Sequence, residues 1–270
     1  MAIITISRGS YCKGKEVAEM VAQRLGYRCL SREVILDASE YSNISEIKLI
    51  KAIHDAPSIL DRFGRSKRSF IAYYQRALSL SVQNDNVVYH GLAGHLLLTG
   101  IPHVLKVRIT ADLDHRVALE MKRDGIPMKE ARRLILKDDQ ERRKWTQSLY
   151  GVDPRDSSLY DFTIHVQRYT VNDAVDFICR SANLEQFQTT SKSQKILDDL
   201  ALSTQVKVAL MDAFHNIFVK SDHGNVLIYV KSDMPKLRKL QIAAKDLIDK
   251  IPGIYSMEVH PGGVTPPGAV

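Results

Sequence analysis

Residues 3–16 read Ile3-Ile4-Thr5-Ile6-Ser7-Arg8-Gly9-Ser10-Tyr11-Cys12-Lys13-Gly14-Lys15-Glu16, and their reading decides the fold. The run Ile3–Ile6 is apolar and β-branched, as in a strand buried on both faces of a parallel sheet. After the loop, Val17, Ala18, Val21, Ala22 and Leu25 fall on one face of a helix predicted from Lys15 to Leu25, with Gly26 as its C-terminal stop. Strand, glycine loop and helix open a phosphate-binding βα unit. Gly9 to Lys15 fits the pattern G-x-x-x-x-G-K. In such a loop successive backbone N–H groups point inward at phosphate oxygens, and the helix start adds its positive dipole end. The cradle is expected from Arg8, Gly9, Ser10, Gly14, Lys15 and Glu16, with Lys15 as a point charge on the β- and γ-phosphates. Glu16 departs from the pattern, because Ser or Thr normally reaches Mg²⁺ there. A carboxylate can touch the metal but also repels phosphate, so the departure weakens catalysis more than binding.

Outward from this unit the periodicity predicts strands at Asn86–Tyr89, Pro102–Ile109 and Asp161–Val166. Between them it predicts helices at 31–40, 45–53, 66–83, from Asp112 or Asp114 to Arg123, 127–145 and 171–179. This alternation implies an α/β, doubly wound parallel sheet. Residues 183–194 are polar and aperiodic and read as a linker. The pattern then restarts as a helix over 196–214, strands over 217–220 and 226–230 around Asp222-His223-Gly224-Asn225, a helix over 237–251 and a strand over 254–259. A second, small α+β domain of αββαβ order is therefore expected over 195–262, followed by a flexible tail at 263–270.

Length and composition agree with two domains: 270 residues, 44% hydrophobic and 26% charged. Cys12, Cys29 and Cys179 lie far apart, without metal-ligand spacing, so neither a protein-held metal nor a disulfide framework is expected. The opening Met1–Ile6 lacks a basic segment, and no apolar run approaches the roughly 20 residues of a membrane helix. A cytoplasmic protein without a transmembrane segment is the expectation. The net charge of +7 favours anionic partners. Its scatter, without an aromatic-and-basic platform, argues against nucleic acid.

Two further groups invite chemistry. His90 and Gly91 end the second predicted strand, at the carboxyl edge where doubly wound sheets bind ligands. Here His90 could meet phosphate or metal-bound water. In Lys137-Asp138-Asp139-Gln140-Glu141-Arg142-Arg143-Lys144, Asp139 stands three and four residues from Arg142 and Arg143, so it can hold these arginines ready for a transferring phosphoryl group.

The ordered set Ile4–Arg8, Gly14–Ala18, Leu25–Tyr27, Ser31–Glu33, Val88–Gly91, Val107–Ile109, Asp114–Val117, Asp138–Asp139 with Arg142–Arg143, and Tyr160–Asp161 resembles the cytidylate kinase-like family over roughly residues 1–180. The resemblance implies a P-loop nucleoside-monophosphate kinase domain over 1–182. Its monophosphate-binding insert would span about 40–80 and its phosphate-closing lid about 125–150. It also implies ATP and Mg²⁺ as cofactors and a pyrimidine monophosphate such as CMP as acceptor. Arg32 would then bind the acceptor phosphate, Asp61 and Arg62 its base, and Arg116 would lie beside the adenine pocket. An acidic residue at position 16 is frequent in this branch. Residues 195–262 resemble a BON-type module, which implies a protein or phospholipid partner. A nucleotide sensor without turnover is the alternative reading.

Overall fold

The computed structural model describes residues 2–31, 33–42, 67–230 and 234–262. They divide into two compact units: Met1–Arg65 with Asn84–Thr189, and Ser66–Gln83 with Thr190–Val270.

The first unit is built on β1 (Ile3–Arg8), β2 (Arg28–Leu30), β3 (Val87–Tyr89), β4 (Val104–Thr110) and β5 (Phe162–His165). They form one parallel sheet in the order β2-β3-β1-β4-β5. β1 is central because its first four residues are fully apolar or β-branched and buried, which suits a strand covered on both faces. β4 leaves on the other side of β1 from β3, so the chain reverses direction across the sheet at the carboxyl end of β1. Open α/β sheets place ligands at such a switch point. Helices α1 (Gly14–Leu25) and α7 (Val171–Ala182) cover one face. Val17, Ala18, Val21, Val175 and Ile178 meet Ile4, Ile6, Leu105, Val107 and Ile109 there. Among the described residues the remaining α-helices of this unit are α2 (Glu33–Ser42), α4 (Gly94–Leu97), α5 (Leu113–Asp124) and α6 (Met128–Tyr150).

The sequence reading misses β2. Arg28–Leu30 is three residues long, at the sheet edge and only half-buried, so it carries no apolar run to betray it. Pairing with β3 makes it a strand. Helix α6 also runs five residues past its expected end, to Tyr150, where Gly151 caps it in the left-handed region.

The second unit contains α3 (Lys67–Val82), α8 (Ser191–Met211), β6 (Ile217–Asp222), β7 (Asn225–Val230), α9 (Met234–Ile248) and β8 (Ser256–Pro261). β6 and β7 form a hairpin, and β8 adds to β7 in parallel. His223 and Gly224 both have positive φ, the demand of a two-residue turn that matches strand twist. The αββαβ order is as the sequence implies, with two differences. Helix α8 begins at Ser191, inside the expected linker. Thr190 and Ser193 form a reciprocal capping box, so polar residues that resemble a loop are a helix start. And α3, which lies in the span expected to be the insert of the first domain, clusters with the second unit. Ala72 and Tyr73 pack on Val208 and Met211 of α8. Ser79 Oγ lies 3.2 Å from Thr204 Oγ1, and Gln83 donates to Asp198 at 2.8 Å. The expected tail at 263–270 lies outside the described residues. No helix among the described residues is long and apolar enough to cross a membrane.

Candidate functional site

The glycine loop leaves β1 at Arg8 and enters α1 at Gly14. Tyr11 and Lys13 adopt left-handed backbone, at φ 60° and 57°, and this curls the loop between strand and helix. A Cβ on Gly14 would fall 2.7 Å from Arg8 Cβ and 2.9 Å from its Cδ, so only glycine lets the helix start close on the strand end. Cys12 is buried and its thiol donates to the carbonyls of Gly9 (3.1 Å) and Ile109 (3.2 Å), pinning the loop to β4. Burial pushes this thiol up, away from reactivity. Ser10 is buried, and its hydroxyl has no hydrogen-bond partner among the described residues.

Helices α5 and α6 reach this loop through four side chains. Asp139 of α6 accepts from Ser10 N–H at 3.1 Å through one carboxylate oxygen and from Arg116 Nη1 at 2.7 Å through the other. Arg116, on α5, also donates to the Ser10 carbonyl at 3.1 Å. Beside them the Tyr11 hydroxyl donates to Asp138 at 3.1 Å, and the Arg123 guanidinium lies 4.8 Å from the centroid of the Tyr11 ring. Burial, then the Asp138 charge, raises the Tyr11 hydroxyl above its ordinary range.

Asp139 thus has a different partner from the one helix spacing suggests. Its ion pair is with Arg116, while Arg143 is held by Asp153 at 2.9 Å, together with Arg155 at 2.8 Å. The i, i+4 rule ranks neighbours on one helix and cannot see a loop that arrives from β1. Arg142 is exposed, and its charge, after burial, contributes to lowering the pKa of Arg8. Lys15 is 63% exposed with Nζ 3.6 Å from Glu19, and Glu16 lies 3.8 Å from Lys13.

At the same sheet edge, after β3, His90 is buried and its backbone N–H donates to Leu30 O at 3.0 Å. Gly91 folds tightly over Tyr89, whose hydroxyl donates to Leu92 O at 3.0 Å. A network that the sequence reading leaves out lies between β1, α4 and β5. The Tyr160 hydroxyl meets Ser7 Oγ (3.2 Å), His95 Nε2 (3.2 Å) and the Pro154 carbonyl (2.9 Å), and Arg108 Nη1 donates to it at 3.1 Å. Burial, then the charges of Arg108 and Lys106, lowers His95 to about 4, so it is neutral near pH 7. Its only sequence signal is the Tyr160-Asp161 pair already noted. Arg32, Asp61 and Arg62 lie outside the described residues.

Residues 3–168 match the cytidylate kinase-like family, from the first residue of β1 to beyond β5. The chain belongs to this family. Its architecture is that of a P-loop kinase with a second small sheet. A cytidylate kinase of Methanopyrus kandleri is 27% identical over 160 residues, which are 56% of this chain and 73% of that protein. A cytidylate kinase of Pyrococcus horikoshii is 32% identical over 91 residues, 33% of this chain and 46% of that protein. Among solved structures, an uncharacterised protein of Eubacterium ventriosum superposes with a TM-score of 0.54 at 18% identity, over 67% of this chain and 98% of that one. In this family member, then, Ser10 N–H and Arg116 form a two-pronged donor set that already grips an oxyanion, the Asp139 carboxylate.

In the second unit Asp199, Asp222 and His223 bring three ligand-type atoms within 4.8 Å of one another. The Asp199 carboxylate is already engaged, accepting from Ser221 Oγ (2.5 Å), His223 N–H (2.9 Å) and Gly224 N–H (3.1 Å). It caps the β6–β7 turn.

Proposed function

We propose that the chain transfers the γ-phosphoryl group of ATP to a nucleoside monophosphate, with a pyrimidine such as CMP as acceptor. The observation that carries this reading is the seat of the Asp139 carboxylate. Loop N–H and guanidinium donors converge on one oxyanion at the carboxyl end of β1. The relatives named cytidylate kinase support the choice of acceptor class.

In this reading the loop from Arg8 through Gly9, Ser10 and Gly14 cradles the donor phosphates. Lys15 exchanges its exposed contact with Glu19 for the β- and γ-phosphates. Arg142 and Arg143 meet the charge of the transferring group, with Asp153 holding Arg143 in place until then. Arg116 contacts the donor nucleotide. Arg32, Asp61 and Arg62 bind the acceptor, and His90 and Gly91 line its side of the sheet edge. A polyphosphate in the loop is supported by the gripped carboxylate and by the buried Ser10 hydroxyl, which has no partner among the described residues. Mg²⁺, when bound with the nucleotide, neutralises phosphate charge. Glu16 offers one hard oxygen where a hydroxyl is usual, and phosphates and water supply the rest.

The test is a coupled assay of ATP-dependent transfer to CMP, dCMP, UMP and AMP. Turnover on one of them, reduced about 10²–10³-fold in Lys15→Ala, is the expected result. No turnover on any, with Lys15-dependent ATP binding intact, moves the reading to a nucleotide sensor. Glu16 is the observation that favours that second reading. The second unit then binds a protein or phospholipid partner. Its αββαβ order supports the resemblance to a BON-type module, and flotation with anionic liposomes, lost on removal of residues 195–262, tests it.

A further inference from the structure

We propose that Asp139 is a built-in substitute for phosphate, which holds the loop and lid together until a nucleotide phosphate displaces it. The inference rests on the phosphate-binding reading of the loop and concerns the control of that same site.

Three observations lead to it. First, both oxygens of one carboxylate are used, one on a backbone N–H of the glycine loop and one on a guanidinium. Charge-assisted donors of this kind, a guanidinium N–H beside a backbone amide, recognise phosphate as readily as carboxylate. Second, Arg116 is only 11% exposed and is fixed by its bond to the Ser10 carbonyl. A guanidinium so placed needs an anion, since a largely buried charge left alone is costly. Asp139 meets that need in the absence of ligand. Third, Asp139 is itself 32% exposed while Arg116 is 11% exposed, so the carboxylate can turn out to water while Arg116 stays.

Phosphate and Asp139 cannot both use Ser10 N–H and Arg116, because two anions would share one donor pair. Binding is therefore an exchange: the incoming oxyanion takes the donors, and Asp139 goes to water. Arg116 has an anion throughout. Asp139 shares α6 with Arg142 and Arg143. Its release removes the Ser10 and Arg116 contacts between their helix and the glycine loop when phosphate has arrived and the arginines are required. Asp138 beside it holds the Tyr11 hydroxyl instead and is not part of the exchange.

The test is binding of inorganic tripolyphosphate and of ATP to the full chain, measured by calorimetry, in wild type, Asp139→Asn, Asp138→Asn and Lys15→Ala. Removing the internal competitor is expected to tighten both ligands at least about tenfold in Asp139→Asn, the equivalent of one charge-assisted hydrogen bond no longer to be broken. Asp138→Asn stays within about twofold of wild type. The only tryptophan, Trp145, is buried six residues further along α6, so its emission is a second readout in the wild type itself. Saturating tripolyphosphate shifts that emission if Asp139 is displaced. Equal or weaker binding in Asp139→Asn, or unchanged Trp145 emission despite Lys15-dependent binding, overturns the exchange and leaves the kinase reading standing. If neither ligand binds wild type or Asp139→Asn at millimolar concentration, the phosphate-binding reading falls and the exchange with it.

Discussion

Replacing Gly91 by alanine tests how the carboxyl end of β3 is shaped. A Cβ at Gly91 would lie 2.3 Å from the Tyr89 hydroxyl oxygen, 2.5 Å from Cζ and 2.7 Å from Cε2. All three contacts are shorter than real Cβ contacts, so the ring must move. Tyr89 is 1% exposed, and a Cβ on Gly94 would meet the same ring at 2.4 Å, so Tyr89 is gripped on two sides. Moving such a ring costs about 1–3 kcal/mol in overpacking. Breaking its bond to Leu92 O adds about 1 kcal/mol. The sum, about 2–4 kcal/mol, corresponds to a fall in Tm of roughly 4–16 °C at about 2–4 °C per kcal/mol for a unit of this size. Thermal unfolding followed by circular dichroism reads this directly. In a Tyr89→Ala background the alanine at position 91 has no ring to displace, so the second substitution is expected to cost less than about 1 kcal/mol. A Gly91→Ala protein with wild-type Tm, or the same cost in both backgrounds, refutes the packing argument.

Burial holds His95 near pKa 4 against about 6.5 in the unfolded chain. Its contribution is complete above pH 6.5 and is lost as pH falls toward 4, a slope worth about 3 kcal/mol that His95→Gln is expected to remove in pH-dependent urea melts. Burial alone would raise the Asp85 carboxyl, but the buried His103 ring, 3.3 Å away, and the hydrogen bond from Thr189 hold it below its ordinary range. Asp85→Asn is therefore expected to lower Tm at neutral pH, with the gap to wild type closing as pH drops below about 4; a gap that persists in acid refutes the assignment. A fragment covering 190–262 lacks α3 and leaves Val208 and Met211 without Ala72 and Tyr73, so it is expected to melt less cooperatively than the same unit in the full chain.

Much of this protein is written locally. The β-branched run at Ile3–Ile6, the apolar face of Val17 to Leu25 and the stop at Gly26 follow from residues within one turn or one strand of each other, and the structure has these elements with ends shifted by a residue or two. The His223-Gly224 turn is likewise local, because φ above zero is a property of two residues. The loop Gly9–Lys15 reads as a phosphate cradle for the same reason: backbone donors and a helix start need only their own sequence.

What local pattern could not supply is which distant groups converge. Arg28–Leu30 is a strand only because β3 offers it hydrogen bonds. Helix α3 carries no mark of the unit it clusters with; Val208 and Met211, over a hundred residues later, decide that. Asp139 has arginines within reach on its own helix, yet pairs with Arg116 and Ser10, 23 and 129 residues away. Tyr160 likewise finds Ser7 and His95 only when β1, α4 and β5 have assembled. Helical and strand periods are set by backbone geometry and act over a few residues, so sequence fixes them early. An ion pair or a hydrogen bond depends on distances of a few ångströms between separate elements, and only packing of the whole sheet and its helices sets those distances.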